Sequence, residues 1–363
     1  MPFARFMELA LYHPTLGYYR SGKRRIGERG DYITSPYLSP LFGAIVGRQV
    51  AELWRRLDEP PDFDLVEMGA GDGRLLRDIL TWAARAQPDL AAALRPMLVE
   101  PDLSLRDAQQ RTLAHLAVSP RWVERLDQIP PASLTGCFLS NELVDSFPVH
   151  LFVAGQGRLA EVYVTRWKGD LVEIEGDRPA MPPPAHLRPL IEAMPAGARI
   201  ELNEGAERWM TDVAIRLRAG FVLTFDYGYP AAQMYASWRT QGTLMAFYRH
   251  SISHDPLAHP GEQDLTAHVD FTTLALSGCA HGLEPIGFTS QREFLTALGL
   301  HEAVAAGLPL EEILARRRAV LTLTDPAGLG RVRVLAQAKG VDGTGLTGFA
   351  GSTPPRAALD LDR

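Results

Sequence analysis

One stretch in the first quarter of the chain limits what it can fold into more than any other: Asp64-Leu65-Val66-Glu67-Met68-Gly69-Ala70-Gly71-Asp72-Gly73-Arg74-Leu75-Leu76. Residues 63–68 form an apolar run that reads as a buried strand. Three glycines follow at alternate positions, and Leu75, Leu76, Ile79, Leu80 and Ala83 then recur at helical spacing. A strand, a glycine turn and a helix form the opening unit of a doubly wound α/β sheet, which binds ligands beyond its strand ends. With 363 residues the chain can carry such a sheet and insertions besides.

The glycine register narrows the ligand. A dinucleotide turn reads G-x-G-x-x-G, and Arg74 stands where its third glycine would be. Glu67 and Asp72 put two carboxylates beside the turn, a poor setting for phosphate and a good one for a positive centre with hydroxyls. A tight turn that needs glycine only for its backbone is the plainer alternative. The pattern Glu67-x-Gly69-x-Gly71-x-Gly73 resembles the first motif of class I methyltransferases, which bind S-adenosylmethionine, a sulfonium without phosphate. On that resemblance Glu67, Gly69, Ala70, Gly71, Asp72 and Gly73 are cofactor-binding residues.

Residues 3–12 read as an amphipathic helix, a polar glycine-punctuated loop covers residues 23–36, and a helix from Ser39 or Pro40 runs to about Leu57. The basic triplet Lys23-Arg24-Arg25 reads as a solvated face. Residues 96–100 are a second strand ending in Glu100, an acid placed to take ribose hydroxyls or to cap the following helix. Residues 122–126 make a weak third strand, with Leu126 beside an adenine. A fourth strand over residues 136–140 runs into Asn141-Glu142-Leu143-Val144-Asp145-Ser146-Phe147-Pro148-Val149, the loop that faces the transferable methyl in this fold.

The remainder divides by composition. Residues 1–60 are N-terminal helices and a cover loop, 61–150 the cofactor-binding half of the core, and 151–197 a β-rich insertion. Residues 198–229 continue the core with a strand at 199–202, a helix at 206–217 and a strand ending in Asp226-Tyr227. Residues 230–310 are a helical and aromatic substrate-side insertion, 311–339 hold the final core strand, and 340–363 form a Gly/Thr/Pro-rich tail expected to lack fixed structure. Trp122, Trp167, Trp209 and Trp238 read as core.

Composition excludes several classes. A net charge of −6 without a basic stripe disfavours nucleic acid as partner. The two cysteines, Cys137 and Cys279, lack metal-ligand neighbours, so no metal site is expected and both read as free thiols in a reducing compartment. No apolar run reaches the length of a membrane span, and the N-terminus lacks a signal-peptide core. A cytoplasmic location is therefore the expectation.

Longer blocks carry a more specific resemblance. Residues 3–14 (FARFMELALYHP) with Gly17-Tyr18-Tyr19 come first, followed by Gly30-Asp31-Tyr32-Ile33-Thr34-Ser35-Pro36, the Glu67–Gly73 motif and the Asn141–Val149 loop. Asp226-Tyr227-Gly228-Tyr229 and Asp264-Leu265-Thr266-Ala267-His268-Val269-Asp270-Phe271 complete the set. Together they resemble the MidA-type class I methyltransferases, whose mitochondrial members assist respiratory complex I assembly by dimethylating an arginine. The resemblance implies a Rossmann-like seven-stranded sheet with an N-terminal cover and inserted subdomains, S-adenosyl-L-methionine as cofactor, and an arginine-containing protein as partner. It also implies that Thr34, Ser35 and Pro36 close over the cofactor and that the loop at Asn141 presents substrate, with Asn141 itself a cofactor-binding residue. Tyr37 departs from the family, which usually has a polar or acidic residue there.

An arginine acceptor needs its delocalised charge drawn to one side, and two carboxylates can grip a guanidinium bidentately. Glu142 and Asp145 are three apart, so a helical turn would align them as catalytic residues, although acids at a helix start also serve as caps. His268 is a candidate base, and Asp226, Tyr227 and Asp270 are candidate substrate-side residues. The competing readings are a small-molecule N- or O-methyltransferase, a non-catalytic cofactor-binding assembly factor, and, least supported by the glycine register, a nicotinamide dehydrogenase.

Overall fold

The computed structural model describes residues 1–20, 33–155, 159–176, 182–248, 251–253, 255–304 and 308–361. The basic triplet, Gly30-Asp31-Tyr32 and Arg249-His250 lie outside the described residues.

Seven strands form the central sheet: β1 (Phe63–Met68), β2 (Leu94–Val99), β3 (Arg121–Val123), β4 (Leu134–Asn141), β5 (Leu217–Asp226), β6 (Glu284–Ser290) and β7 (Arg333–Lys339). Their order is β6-β7-β5-β4-β1-β2-β3. β1 runs parallel to β2 and β4, as β2 does to β3 and β4 to β5; β7 is antiparallel to both β5 and β6. The chain winds outward from β1 in one direction and from β4 in the other, so the two diverge there and leave a crevice beyond their carboxyl ends.

Neighbouring residues of each inner strand are buried on opposite faces, which is why these strands read as continuous apolar runs. Leu65, Leu139 and Leu223 pack with Phe42 and Ile45 of α1 (Pro40–Arg56) and with Leu76 and Ile79 of α2 (Arg74–Ala86). Val66, Phe138 and Val222 pack with Met210 and Val213 of α3 (Glu204–Arg216) and with Leu274 of α4 (Phe271–Cys279).

Three expectations are corrected by the topology. Arg199–Leu202 is no part of the central sheet: it pairs antiparallel with His150–Ala154, in a four-stranded sheet completed by Leu159–Trp167 and Asp170–Gly176. Its buried Glu201 is held there by the backbone N–H groups of Thr243 and Leu244. The segment 230–310, read as an insertion, contributes β6, whose Pro285 and Gly287 break the strand pattern and coincide with a register shift against β7. The tail packs back on the core: Phe349 lies against Phe294, Leu359 is fully buried, and Gln49 accepts from the Gly348 N–H. Apolar residues spaced among the glycines hold it in place: Leu346 and Phe349 join one core cluster and Leu359 the other.

The N-terminal helix Phe3–Tyr12 rides on the four-stranded sheet. Phe3, Phe6, Met7 and Leu11 pack with Leu151, Val162 and Val164, and Met1 exchanges hydrogen bonds with Val164. This docking carries Tyr12 and Tyr19 to the crevice of the central sheet. Trp209 is buried and Trp122 half-buried as expected of core residues, but Trp167 and Trp238 are 66% and 72% exposed.

Candidate active site

The crevice holds a cavity of about 890 Å³, lined on one side by Met68, Gly69, Gly71, Asp72, Val99 and Glu100 and on the other by Tyr12, Tyr19, Glu142, Ser146 and Phe147. The first set comes from the ends of β1 and β2. The second comes from the loop after β4 and from the N-terminal segments.

On the first side the glycines are needed for their backbone. Gly69, Gly71 and Gly73 have φ of +76°, +54° and +85°, a region costly to a side-chain-bearing residue, and a Cβ on Gly69 would lie 2.9 Å from Leu143. Glu67 does not line the cavity; it is buried under the turn and accepts from the Leu76 N–H at the start of α2. Burial pushes its carboxyl up to about 8, and Oε2 has no partner among the described residues. Asp72 accepts from Arg74 Nε at 3.0 Å through Oδ2, leaving Oδ1 buried and without a partner among the described residues.

Glu100 lines the cavity and accepts from the Asp102 N–H at 2.9 Å and from Gln109 Nε2 at 3.2 Å, with burial raising its pKa. Gln109 also donates to the Gly71 carbonyl, so one side chain ties the glycine turn to the acid at the end of β2. Asp102, rather than Glu100, caps the next helix, Leu103–Leu113, and pairs with Arg20 at 3.0 Å across the cavity wall. Leu126 is buried in a short helical turn and is not among the lining residues.

The cover segment meets the site in an unexpected way. Thr34, Ser35 and Pro36 are buried and are not among the lining residues; the Ser35 N–H donates to the Glu142 carboxylate and its hydroxyl to Gln291 Oε1. Tyr37, the residue that departs from the family, reaches the cavity instead. It hydrogen-bonds with Asp72, lies 4.6 Å beneath the Arg74 guanidinium, and has its phenol pKa raised by burial and by Asp72.

After β4 the chain turns sharply. Glu142 has φ +50°, an αL conformation uncommon for a non-glycine residue, and its N–H donates to Phe225 O at 2.8 Å. Asn141 donates to Glu142 Oε1 at 3.3 Å, and its own Oδ1 is buried without a partner among the described residues. Residues Val144–Ser146 form a short helical turn, and the N–H groups of Leu143, Val144 and Asp145 point at one carboxylate. Asp226 Oδ2 accepts from Leu143, Val144 and Asp145 at 3.1, 2.8 and 3.4 Å, and Oδ1 from Tyr227 at 2.8 Å. Asp226 is fully buried and holds the loop in shape from behind; it does not line the cavity.

Of the two acids expected to share a helix face, only Glu142 lines the cavity. Asp145 is buried behind it, where desolvation and then the nearby Asp226, Glu142 and Asp264 carboxylates push its pKa well up. Asp226 has four backbone donors and loses its proton more readily, leaving Asp145 the protonated partner. Burial, and then Asp226, raise Glu142 to about 8. Asp264 accepts from Tyr19 Oη at 2.8 Å, and Tyr12 Oη bonds with Ser146 at 2.9 Å.

His268 is not among the lining residues. It packs on Tyr227 and Tyr229, and burial lowers its pKa to about 4, so the ring is neutral. Asp270 caps α4 by accepting from the Thr272 and Thr273 N–H groups and is likewise away from the cavity. Sequence reasoning missed Tyr12, Tyr19, Arg20, Ser146 and Phe147 as lining residues. Tyr12 and Tyr19 lie in a recognisable block, but nothing local shows that their helix docks over a crevice formed elsewhere. Among the described residues no group of three or more His, Cys, Asp or Glu could hold a metal ion, and no helix is long and apolar enough to cross a membrane.

The donor set suits a cationic, hydroxyl-bearing ligand: Glu100 at the end of β2, Asp72 Oδ1, which has no partner among the described residues, and positive-φ glycines that let the ligand approach backbone. Comparison with known proteins agrees. Residues 45–289 match the family described as "Putative S-adenosyl-L-methionine-dependent methyltransferase". A solved Burkholderia thailandensis protein bound to S-adenosyl-homocysteine superposes with a TM-score of 0.87 at 32% identity, over 97% of this chain and 91% of that one. The Drosophila melanogaster "Protein arginine methyltransferase NDUFAF7 homolog, mitochondrial" is 31% identical over 94% of this chain and 82% of its own length. The Homo sapiens "Protein arginine methyltransferase NDUFAF7, mitochondrial" is 30% identical over 82% of this chain and 69% of its own length. These relatives are named mitochondrial, which overturns the expectation of a cytoplasmic location drawn from the N-terminus and the cysteines. The fold, the crevice and these matches agree: the chain belongs to the S-adenosyl-L-methionine-dependent methyltransferase family.

Proposed function

We propose that the enzyme methylates an arginine guanidinium of a protein, with Glu142 gripping the acceptor. The observation that carries this reading is a carboxylate opening onto the cavity in front of two further buried acids, Asp145 and Asp264, with Tyr12 and Tyr19 on the same wall. The relatives named protein arginine methyltransferases support it. When bound, S-adenosyl-L-methionine supplies a methyl group on a positively charged sulfur, open to in-line attack.

The chain's own residues then have to position, desolvate and polarise the acceptor, and orientation alone can contribute roughly 7–11 kcal/mol. Glu100, Asp72 and the glycine turn hold the donor. Glu142, aimed by the Ser35 N–H and by Asn141, accepts hydrogen bonds from the guanidinium and concentrates its charge away from the attacking nitrogen. Asp226 acts through the loop, as a positioning residue. Tyr12 and Tyr19 offer aromatic surface to a delocalised cation and exclude water. The neutral His268 ring is better suited to packing than to proton transfer.

The test is methyl transfer from labelled cofactor to proteins of cells lacking this enzyme, followed by hydrolysis and amino-acid analysis. Label in methylarginine is the expected result. Label confined to small molecules, or to another amino acid, would sink the arginine reading and leave the small-molecule alternative.

A further inference from the structure

Beyond the cavity, a strip of alternating aromatic and basic side chains runs outward from its rim. β7 is antiparallel to β5 with Arg333 opposite Asp226, so Arg331, just before β7, reaches the carboxyl end of β5. Its guanidinium lies 5.4 Å from the Tyr227 ring. Tyr227 packs on His268, and His268 on Tyr229 with ring centroids 5.2 Å apart. Arg239 is then held between Tyr229 and Trp238, 4.4 and 4.7 Å from the two rings. The inner end adjoins the site, because Tyr227 follows Asp226 and the Glu142 N–H is bonded to Phe225 O. The outer end is Trp238, 72% exposed.

Two features set this strip apart from ordinary surface. Arg331 and Arg239 have no carboxylate partner among the described residues, and the Arg239 guanidinium donates there only to the Gln233 carbonyl, at 3.4 Å. Contact with two rings restrains the Arg239 guanidinium, and Arg331 lies within cation–π range of Tyr227, so less side-chain freedom is lost when they meet a ligand. The chain as a whole carries −6, so a basic rim outside a buried acidic pocket is a local reversal of charge. A ligand matching both would carry a cation at its centre and carboxylates beside it.

We propose that this strip docks the acidic flank of the protein acceptor, with Arg239 and Arg331 pairing with Asp or Glu near the target arginine and Trp238 covering an apolar neighbour. The proposal rests on the protein-arginine reading. It assigns selection of the acceptor sequence to the strip and leaves methyl transfer to the cavity.

The probes are short labelled peptides with a central arginine flanked by aspartate, by glycine or by lysine, titrated against the full chain saturated with S-adenosylhomocysteine. The aspartate-flanked peptide is expected to bind about tenfold more tightly than the glycine-flanked one, as two rim ion pairs would give. In the double variant R239E/R331E this preference is expected to vanish or invert while S-adenosylhomocysteine affinity stays unchanged. Equal binding of all three peptides, binding of none, or a preference that survives the double variant would overturn the proposal. So would arginine-dependent binding of duplex DNA or phosphatidylglycerol vesicles in place of the acidic peptide. Failure of the arginine reading looks different: the acidic peptide binds through Arg239 and Arg331, but no methyl group reaches its arginine.

Discussion

The two walls of the cavity are built on different principles. The donor wall comes from contiguous sequence: β1, three glycines and α2 lie within two dozen residues, and β2 with Glu100 follows directly. The acceptor wall is assembled from Tyr12, Tyr19, Glu142 and Ser146, shaped from behind by Asp226 and Asp264. A wall made by local backbone geometry keeps its ligand when a neighbouring side chain changes. A wall made by long-range contacts can be retuned one residue at a time, which suits a fold that keeps its cofactor and varies its substrate.

The sharpest way to break this comparison is E142Q. It should lower kcat by roughly 10²–10³-fold, while S-adenosylhomocysteine affinity, read by calorimetry, stays within about threefold of wild type. Comparable loss of both would mean that the walls are not separable. On the donor side, G69A forces a Cβ into an αL site against Leu143, at a cost of about 1–3 kcal/mol. Calorimetry should show S-adenosylhomocysteine binding weakened by tenfold or more.

The third prediction concerns pH. With Glu142 raised to about 8, and ionised when it grips a cation, kcat/KM should rise about tenfold per pH unit below 8 and level off above it. A profile flat between pH 6 and 9 would remove Glu142 from the acceptor's grip. Glu67 gives a donor-side counterpart with a different readout. Its carboxyl keeps its proton up to about pH 8 in the folded protein but only to about 4.5 unfolded. The folded state therefore holds the extra proton across that window, and its stability declines as pH rises from 4.5 to 8. E67Q should flatten that part of the Tm-against-pH curve. The smallest effect is expected from Y37F, which loses the bond to Asp72 but keeps the ring under Arg74. It should weaken S-adenosylhomocysteine binding by about threefold, the scale of one hydrogen bond.

The sheet and its ligand edge were legible in the residue pattern alone. Alternate burial on two faces wrote β1, β4 and β5 as apolar runs, and the glycines, at φ values other residues resist, marked the turn. Where separated segments meet depended on packing across the whole fold. Arg199–Leu202 has the pattern of a core strand but pairs with His150–Ala154, because pattern records burial and not the partner. Glu142 and Asp145 were legible as a pair by spacing, yet the turn after β4 is not an α-helix, and Asp226, more than eighty residues away, sets which of them faces the cavity. Tyr12 and Tyr19 reach the acceptor wall only because Phe3, Phe6 and Met7 dock on the four-stranded sheet. Local backbone preference is encoded within a few residues. The convergence of side chains on one cavity depends on packing between segments that no local pattern connects.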